Sequence, residues 1–315
     1  DGGWLLYQLA RYFPLEDLPG DLPATPAAPV TSRKMSYGSL MLADSREVLK
    51  REHVMLIRPA ALQRPEFERR IEELVIDIRA LAEEDADIQM LLQTIAQIRE
   101  THAREAQAPV QIISTGRAGT TTLYDLLSES RRYQPYHSFA LQTLLRERLE
   151  FLTRIREGLV TREYLKQRVF TYLQFRVAEL LYAYRNDRTP VFVSHWDSIF
   201  SIINLALFPE MKLLYLDRDA KPAAGSFIGK VQWAYAQLMD VSYQICPESG
   251  QFQYRIDSDG DMAKQVGWYQ FVTHALAGAV GRLSKPGHYL HLRAEALFRA
   301  EEGALEALAG FFDQA

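Results

Sequence analysis

Two long stretches in the first third of the chain carry apolar residues at the spacing of an amphipathic helix. Between about residues 59 and 106 they recur every three or four positions, first as Ile71, Leu74, Val75, Ile78 and Leu81, then as Ile88, Leu91, Leu92, Ile95 and Ile98. This period gives each helix one apolar stripe. Because an acidic run at 83–85 separates the stretches, the pattern predicts a helical hairpin that serves in packing or in formation of a homodimer.

A different pattern begins at residue 109, where short apolar runs alternate with helical stretches. The runs cover 109–114, 190–194, 211–216 and 289–292, and the helical stretches cover about 138–156, 161–186, 220–243, 261–283 and 302–313. Continuous apolar strands separated by helices are typical of a parallel sheet that is buried on both faces. We therefore predict an α/β domain over 109–315. Residues 1–108 are expected to form an N-terminal extension, with a short helix near 3–12, a proline-rich linker and the helical hairpin.

Composition narrows the class of protein. The 315 residues are 48% hydrophobic and 24% charged, and the formal net charge is -4. These values argue against disorder and against general binding of nucleic acid.

No run of about 18 apolar residues is present, so no membrane span is expected. Cys246 is the single cysteine, so the fold needs no disulfide and we expect a cytoplasmic protein. The histidines show no metal-site spacing with acids or with Cys246, and no metal is expected.

One turn of the chain combines the features of a phosphate-binding site. The apolar run 109–114 leads into Thr115-Gly116-Arg117-Ala118-Gly119-Thr120-Thr121-Thr122, and a helical stretch follows. Glycine lets backbone amides approach an anion, amides at a helix start point toward it, and arginine and hydroxyl side chains add donors. No lysine follows Gly119, unlike the pattern G-x-x-x-x-G-K-[ST] of ATPases and kinases. The alternative is a turn in which glycine serves the backbone geometry alone.

This turn resembles the loop that binds the 5′-phosphosulfate in the PAPS-dependent sulfotransferases, which reads approximately (K/R)-S-G-T-T. Arg117 falls on the basic position, and Ala118 stands where the family has serine, which removes one hydroxyl contact. The resemblance covers about 109–312 and implies a P-loop-like sulfotransferase fold. It also implies that residues 115–122 bind the cofactor PAPS and its product PAP.

A second segment resembles the motif R-(D/N)-(P/A)-…-S, with which the family binds the 3′-phosphate of PAPS. The run 211–216 is followed by Asp217 and Arg218, and Ser226 lies eight residues after Arg218. In a regular helix that serine would lie about two turns from the strand, so a non-helical entry is required to bring both side chains onto one anion. The resemblance implies that Arg218 and Ser226 bind this phosphate. The alternative is an exposed arginine in an ordinary turn.

Two histidines are candidates for the base that takes a proton from the acceptor. His195 follows the run 190–194 and lies 23 residues before Arg218, close to the spacing of the catalytic histidine in the cytosolic sulfotransferases. His137 lies 20 residues after Arg117, near where the protein-tyrosine sulfotransferases have their catalytic glutamate. Histidine titrates in the range that this role needs. We place His195 first and His137 second.

The resemblance implies an enzyme that transfers a sulfuryl group from PAPS to a hydroxyl of a small-molecule, lipid, polyketide or glycan acceptor. Arg117 and the threonines would stabilise the leaving phosphate, and His195 would take the hydroxyl proton. At the C-terminus, Glu295 matches the acid of the family's Y-E-D-L turn, which implies a structural role. Two alternatives stay open. One is a P-loop nucleotide kinase-like phosphotransferase, with Asp217 at a magnesium-binding strand end; the other is a non-catalytic protein that assembles through the hairpin.

Overall fold

The helices and strands come from a computed structural model, which describes residues 64–137, 151–152, 154–155, 158–219, 222–223, 226 and 272–313. The helices are α1 (Arg64–Glu84), α2 (Ala86–His102), α3 (Thr120–Glu129), α4 (Arg162–Arg185), α5 (Ser201–Leu207), α6 (272–283), α7 (Ala294–Phe298) and α8 (Glu302–Asp313), with a 3₁₀ helix at His195–Phe200. The strands are β1 (Val110–Ser114), β2 (Tyr133–Tyr136), β3 (Thr189–Phe192), β4 (Lys212–Asp217) and β5 (Tyr289–Arg293). The predicted helix at 3–12, the proline-rich linker and Cys246 lie outside the described residues, as do most of the predicted helices at 138–156 and 220–243.

The five strands form one sheet in the order β2-β3-β1-β4-β5, and every neighbouring pair is parallel. The central strand β1 pairs with β4 along its whole length, from Val110 opposite Lys212 to Ser114 opposite Leu216. Its pairing with β3 stops after Gln111. The predicted α/β class and its parallel sheet are confirmed, with the glycine-containing turn directly after the central strand.

Strand β2 is absent from the sequence prediction because its four residues do not form an apolar run. It reads Tyr133-Gln134-Pro135-Tyr136 and pairs with β3 alone. A proline lacks the N–H that a central strand needs, and an edge strand tolerates this loss. The Tyr133 hydroxyl donates to the Phe312 carbonyl at 2.8 Å, which ties this edge to the C-terminal helix.

Helices cover both faces of the sheet, as the alternation of side chains along the strands requires. On one face Val110 and Ile112 of β1 belong to a cluster with residues of α3, α7 and α8. On the other face Ile113 belongs to a larger cluster with residues of α1, α2, α4, α5 and α6. Burial on both faces explains why β1, β3 and β4 read as continuous apolar runs.

The predicted helical hairpin is present as α1 and α2. Asp85 separates the two helices and caps α2, because its carboxylate accepts hydrogen bonds from the amides of Asp87 and Ile88 at 3.1 Å. Phe67 and Ile71 in the stripe of α1 are fully buried in the larger of the two clusters. The apolar face of α1 is therefore covered by the chain itself, while the division of the chain at residue 108 stays a prediction.

The 3₁₀ helix His195–Phe200 and helix α5 are also absent from the sequence prediction. All seven residues of α5 are buried, so this helix has no polar face and shows no amphipathic period. Short apolar segments of this kind cannot be separated from buried strands by periodicity alone. In the part of the chain that the structure describes, no helix is long and apolar enough to cross a membrane.

Candidate functional site

The candidate residues meet at the carboxyl edge of the sheet, where parallel strands all end on the same side. Neighbouring strands end in order across this edge, and each is followed by a residue of interest: β2 by His137, β3 by Val193-Ser194-His195, β1 by the turn 115–119, and β4 by Arg218. The amide of Val193 donates to the Tyr136 carbonyl at 2.9 Å, which holds the ends of β2 and β3 together. The fold thus brings both histidines, the turn and Arg218 to one edge, the usual ligand-binding edge of such sheets.

The turn after β1 has a backbone suited to an anion. Gly116, Arg117 and Gly119 have φ values of 84°, 54° and 85°, all in the left-handed region. Turns with left-handed residues commonly direct backbone N–H groups toward a bound anion. Helix α3 begins at Thr120, directly after Gly119, and its first amides have no partner within the helix. A left-handed arginine is uncommon and costs roughly 1–3 kcal/mol, which the packing around the turn must offset.

The turn is packed against Phe298, a residue that the sequence prediction did not single out. A Cβ atom on Gly119 would lie 2.8 Å from Cε1 of Phe298, which is closer than real contacts allow. The guanidinium carbon of Arg218 lies 5.2 Å from the centre of the same ring. Because Phe298 is half-exposed, its ring forms part of the rim of the turn. Gly119 is thus required both for its φ angle and for this close approach.

The two predicted anion-binding segments are in direct contact. Nε of Arg117 donates to Oγ of Ser226 at 2.8 Å, and a guanidinium N–H of Arg218 donates to the carbonyl oxygen of Arg117. Ser226 therefore contacts the arginine of the first segment. Two arginines and one serine thus form a continuous group of donors beside the turn.

The expected non-helical entry to the segment after β4 stays a prediction, because residues 220–221 and 224–225 lie outside the described residues. The amide of Ala223 donates to the carbonyl of Asp219 at 3.1 Å, an α-helical bond, and Pro222, Ala223 and Ser226 have helical conformation. Ser226 is directed toward the turn after the neighbouring strand β1, where it contacts Arg117.

Charged side chains at and after the ends of β4 and β5 lie around Arg218. The amide of Asp219 donates to Glu295 Oε1 at 3.0 Å, the Arg218 Nε atom lies 4.0 Å from the same oxygen, and Arg293 pairs with Asp219. Glu295 thus holds the backbone at the end of β4, in line with the structural role that the resemblance implies. Among the described residues, the buried Nε of Arg218 has no hydrogen-bond acceptor, so an incoming oxyanion would satisfy it.

His137 and His195 follow the neighbouring strands β2 and β3 and differ in exposure. His195 is buried at the start of the 3₁₀ helix. His137 is partly buried, and its ring packs edge-on against Tyr124 with 5.8 Å between centres. Burial lowers the pKa of His137 below its usual value, although the nearby carboxylates of Asp197 and Asp125 act in the opposite direction. A neutral imidazole at pH 7 is able to accept a proton.

Asp197 lies two residues after His195 and belongs to a buried polar network that the sequence did not reveal. Its carboxylate pairs with Arg176 of α4, and its backbone carbonyl accepts a hydrogen bond from Gln111 Nε2 at 2.9 Å. Arg176 Nε also donates to the Tyr172 hydroxyl at 2.8 Å. A charged residue directly after an apolar strand was the available signal, but its partner on α4 is visible only in the fold.

Metal ligands do not gather at this edge or elsewhere in the described ranges. Within residues 64–137, 158–219, 272–313 and the shorter described segments, no group of three or more histidines, cysteines or acids comes together as a metal site would require.

Comparisons with known proteins find solved structures that overlap part of the chain. No protein-family model matches the chain, and no curated protein matches it. Two solved structures overlap 66% of the chain at 16% sequence identity: a sulfotransferase domain from the curacin biosynthetic pathway and a sulfotransferase domain from the Synechococcus PCC 7002 olefin synthase. Their TM-scores are 0.37 and 0.34, and the overlaps cover 75% and 73% of those chains. Values this low do not assign the chain to a family or to an activity.

Proposed function

We propose that this protein is a PAPS-dependent sulfotransferase that transfers a sulfuryl group to a hydroxyl of an acceptor. The observation that carries the proposal is the arrangement at the carboxyl edge of the sheet. There the left-handed turn 115–119 adjoins Arg218 and Ser226, and on its other side a histidine follows the adjacent strand β3 and another follows the edge strand β2. This edge therefore offers an anion-binding half next to a half with proton acceptors.

The donors of the anion-binding half fit a ligand with two anionic ends. The amides of the turn and the start of α3, with the hydroxyls of Thr120, Thr121 and Thr122, would hold the 5′-phosphosulfate. Arg218 and Ser226 would hold the 3′-phosphate, and Arg117 lies within hydrogen-bonding distance of Ser226 between them. PAPS, when bound, supplies the activated sulfuryl group. Arg117 would offset negative charge that develops on the leaving phosphate, in a role that resembles phosphoryl-transfer sites.

His195 is the first candidate for the base and His137 is the second. The base must accept the proton of the acceptor hydroxyl as its oxygen forms a bond to sulfur. In strand order His195 follows β3, next to the turn, and His137 follows β2, one strand further on the same side. Burial favours the neutral form of His137, which a base requires. The acceptor would then lie over the ends of β2 and β3. A small-molecule, lipid, polyketide or glycan hydroxyl fits this chemistry.

Two broader expectations join this proposal. A cytoplasmic location would give the protein access to PAPS while keeping its single cysteine reduced. A homodimer through the N-terminal helices would use the side chains that the fold leaves exposed, among them Ile76 on α1 and Met90 on α2.

Ligand binding and sulfuryl transfer test the proposal together. Calorimetry with PAP, and separately with ATP and magnesium, should show PAP binding, and labelled sulfate should pass from PAPS to a hydroxyl acceptor. Arg117→Ala should weaken PAP binding roughly tenfold or more because a charged donor is lost. His195→Ala should reduce transfer about 100-fold or more while PAP still binds. Tight binding of ATP without binding of PAP would overturn the proposal in favour of a phosphotransferase.

Matched variants at the opposite end of the molecule control for loss of fold. Arg131→Ala changes an exposed arginine before β2, and His102→Ala changes an exposed histidine at the end of α2. Both should keep PAP binding and transfer at the level of the unchanged protein. If His137→Ala abolishes transfer and His195→Ala does not, the order of the two candidate bases is reversed.

A further inference from the structure

One buried hydroxyl joins the phosphate-binding turn to the segment that carries His195. Oγ of Ser198 accepts a hydrogen bond from the Ser114 amide at 3.0 Å. The same oxygen lies 3.0 Å from the Ser114 carbonyl and 2.8 Å from the His195 carbonyl, and its single hydrogen serves these two acceptors. Ser198 and Ser114 are both buried, so water does not compete for these bonds.

The contact stands where the sheet itself no longer links β1 to the chain after β3. Pairing between β1 and β3 stops after Gln111 and Phe192, whereas β1 continues to Ser114. The backbone amide and carbonyl of Ser114 would otherwise be buried without partners, at a cost of roughly 1–3 kcal/mol for each group. Ser198 therefore replaces the missing part of the ladder between the two segments.

The hydrogen bonds continue from Ser114 into the turn. Oγ of Ser114 accepts from the amide of Gly116 at 3.0 Å, next to the left-handed Arg117. A continuous path thus runs from the carbonyl of His195 through two serine side chains to the backbone of the turn. Asp197 in the same 3₁₀ helix bonds to Gln111 of β1 and pairs with Arg176 of α4. These two contacts also fix the position of the 3₁₀ helix.

We propose that Ser198 is a positioning residue, which sets the distance between the phosphate-binding turn and His195; this inference rests on the proposed function. In a transfer reaction the base and the anion-binding groups must hold donor and acceptor in line. A displacement of about 1 Å can reduce the rate of such a reaction roughly 100-fold. A hydroxyl that bonds to both segments limits displacement of one against the other.

The variant that tests this role is Ser198→Ala, with Ser201→Ala as its matched control. Ser201 lies three residues further on, is fully buried, and makes no hydrogen bond through its Oγ to any described residue. The two variants therefore remove the same atom from the same neighbourhood, and only the first removes the link. Hydrogen exchange measured by mass spectrometry reports the link without reference to activity.

We expect Ser198→Ala to speed amide exchange about tenfold in peptides covering 110–119 and 193–200, the equivalent of one lost hydrogen bond, with no change in a peptide covering 212–217. The turnover number per PAP-binding site should fall between about 10- and 100-fold, with PAP affinity little changed. Ser201→Ala should leave exchange, affinity and turnover unaltered.

Each other outcome counts against the inference in a defined way. If exchange in Ser198→Ala matches that in Ser201→Ala, or rises equally in 212–217, Ser198 does not link the two segments specifically. If exchange rises as expected while turnover per site is unchanged, the link exists but does not position the reaction. If the unchanged protein neither binds PAP nor transfers sulfate, the proposed function fails, and the exchange results still decide whether the link exists.

Discussion

The two halves of the carboxyl edge are held by different kinds of interaction. Around the ends of β1 and β3, buried groups form the contacts: Ser114, Ser198, Gln111 and the Asp197–Arg176 pair. Around the ends of β4 and β5, the contacts are ion pairs among partly exposed residues, in which Arg293 bonds to Asp219 and approaches Glu295 to 3.6 Å. The first half resists change because any shift would bury unpaired polar groups. The second can exchange its partners.

This contrast matches what the proposed reaction would ask of each half. The groups that hold the reacting atoms need a fixed geometry, which buried hydrogen bonds supply. The groups that bind a distant phosphate need charge that is accessible, and exposed ion pairs contribute only about 0–1 kcal/mol each. Under the proposed function an incoming phosphate would displace the Glu295 carboxylate, which approaches Arg218 only to 4.0 Å. Three variants, in order of decreasing expected effect, test how different the two halves are.

Arg176→Met should give the largest loss of stability. The substitution removes the guanidinium that pairs with the buried Asp197 and with Glu179, and removal of one partner from a buried pair costs about 3–5 kcal/mol. Urea denaturation at 25 °C measures the change. Arg282→Met, which removes half-exposed ion pairs between α6 and α1, should lose much less. Similar losses in the two variants would show that the buried network contributes no more to the free energy of unfolding than the half-exposed ion pairs do.

Gly119→Ala should cost an intermediate amount. The left-handed φ of 85° is unfavourable for alanine by about 1–2 kcal/mol, and the new Cβ would press on the Phe298 ring. Gly310→Ala, in α8 with open space around the position, should instead stabilise the protein by about 0.5–1 kcal/mol. Combining Gly119→Ala with Phe298→Ala should relieve the contact but not the backbone strain. Full recovery in the double variant would argue that the φ angle carries no cost.

Glu295→Gln should have the smallest effect on stability. Glutamine still accepts the hydrogen bond from the Asp219 amide, and the ion pairs that are lost are long, at 4.0 Å to Arg218 and 3.6 Å to Arg293, so the change should stay below about 1 kcal/mol. Under the proposed function PAP should bind more tightly, because Arg218 no longer lies beside a carboxylate. Calorimetry at two salt concentrations measures this gain. A large loss of stability would show that this half is as rigid as the other.

Local sequence patterns predicted much of the fold and part of the site. Strands at 109–114 and 211–216 were predictable because they are short and mostly apolar, and the hairpin was predictable because its stripes keep a helical period. The turn 115–122 was predictable because glycine, arginine and threonine between a strand and a helix have few other uses. Strand β2 was not, since Tyr133-Gln134-Pro135-Tyr136 has no apolar run, and α5 was not, since it has no polar face.

The contacts of the site needed the tertiary structure. The sequence suggested that Ser226 would share an anion with Arg218, and the tertiary structure adds that Ser226 accepts a hydrogen bond from Arg117. Nothing in the local pattern marked Ser198 or Phe298. Their importance depends on Ser114 and Gly119, which lie 84 and 179 positions earlier in the chain.

By itself the sequence determined most of the strands and helices, and which turn is rich in donors for an anion, because these properties depend on neighbours within a few residues. The tertiary structure decided the order of the strands, and with it that His137 and His195 end on one side of the turn and Arg218 on the other. That order is set by pairing between distant segments and by burial of both faces of the sheet. Such energies belong to the whole fold and leave no period in the chain.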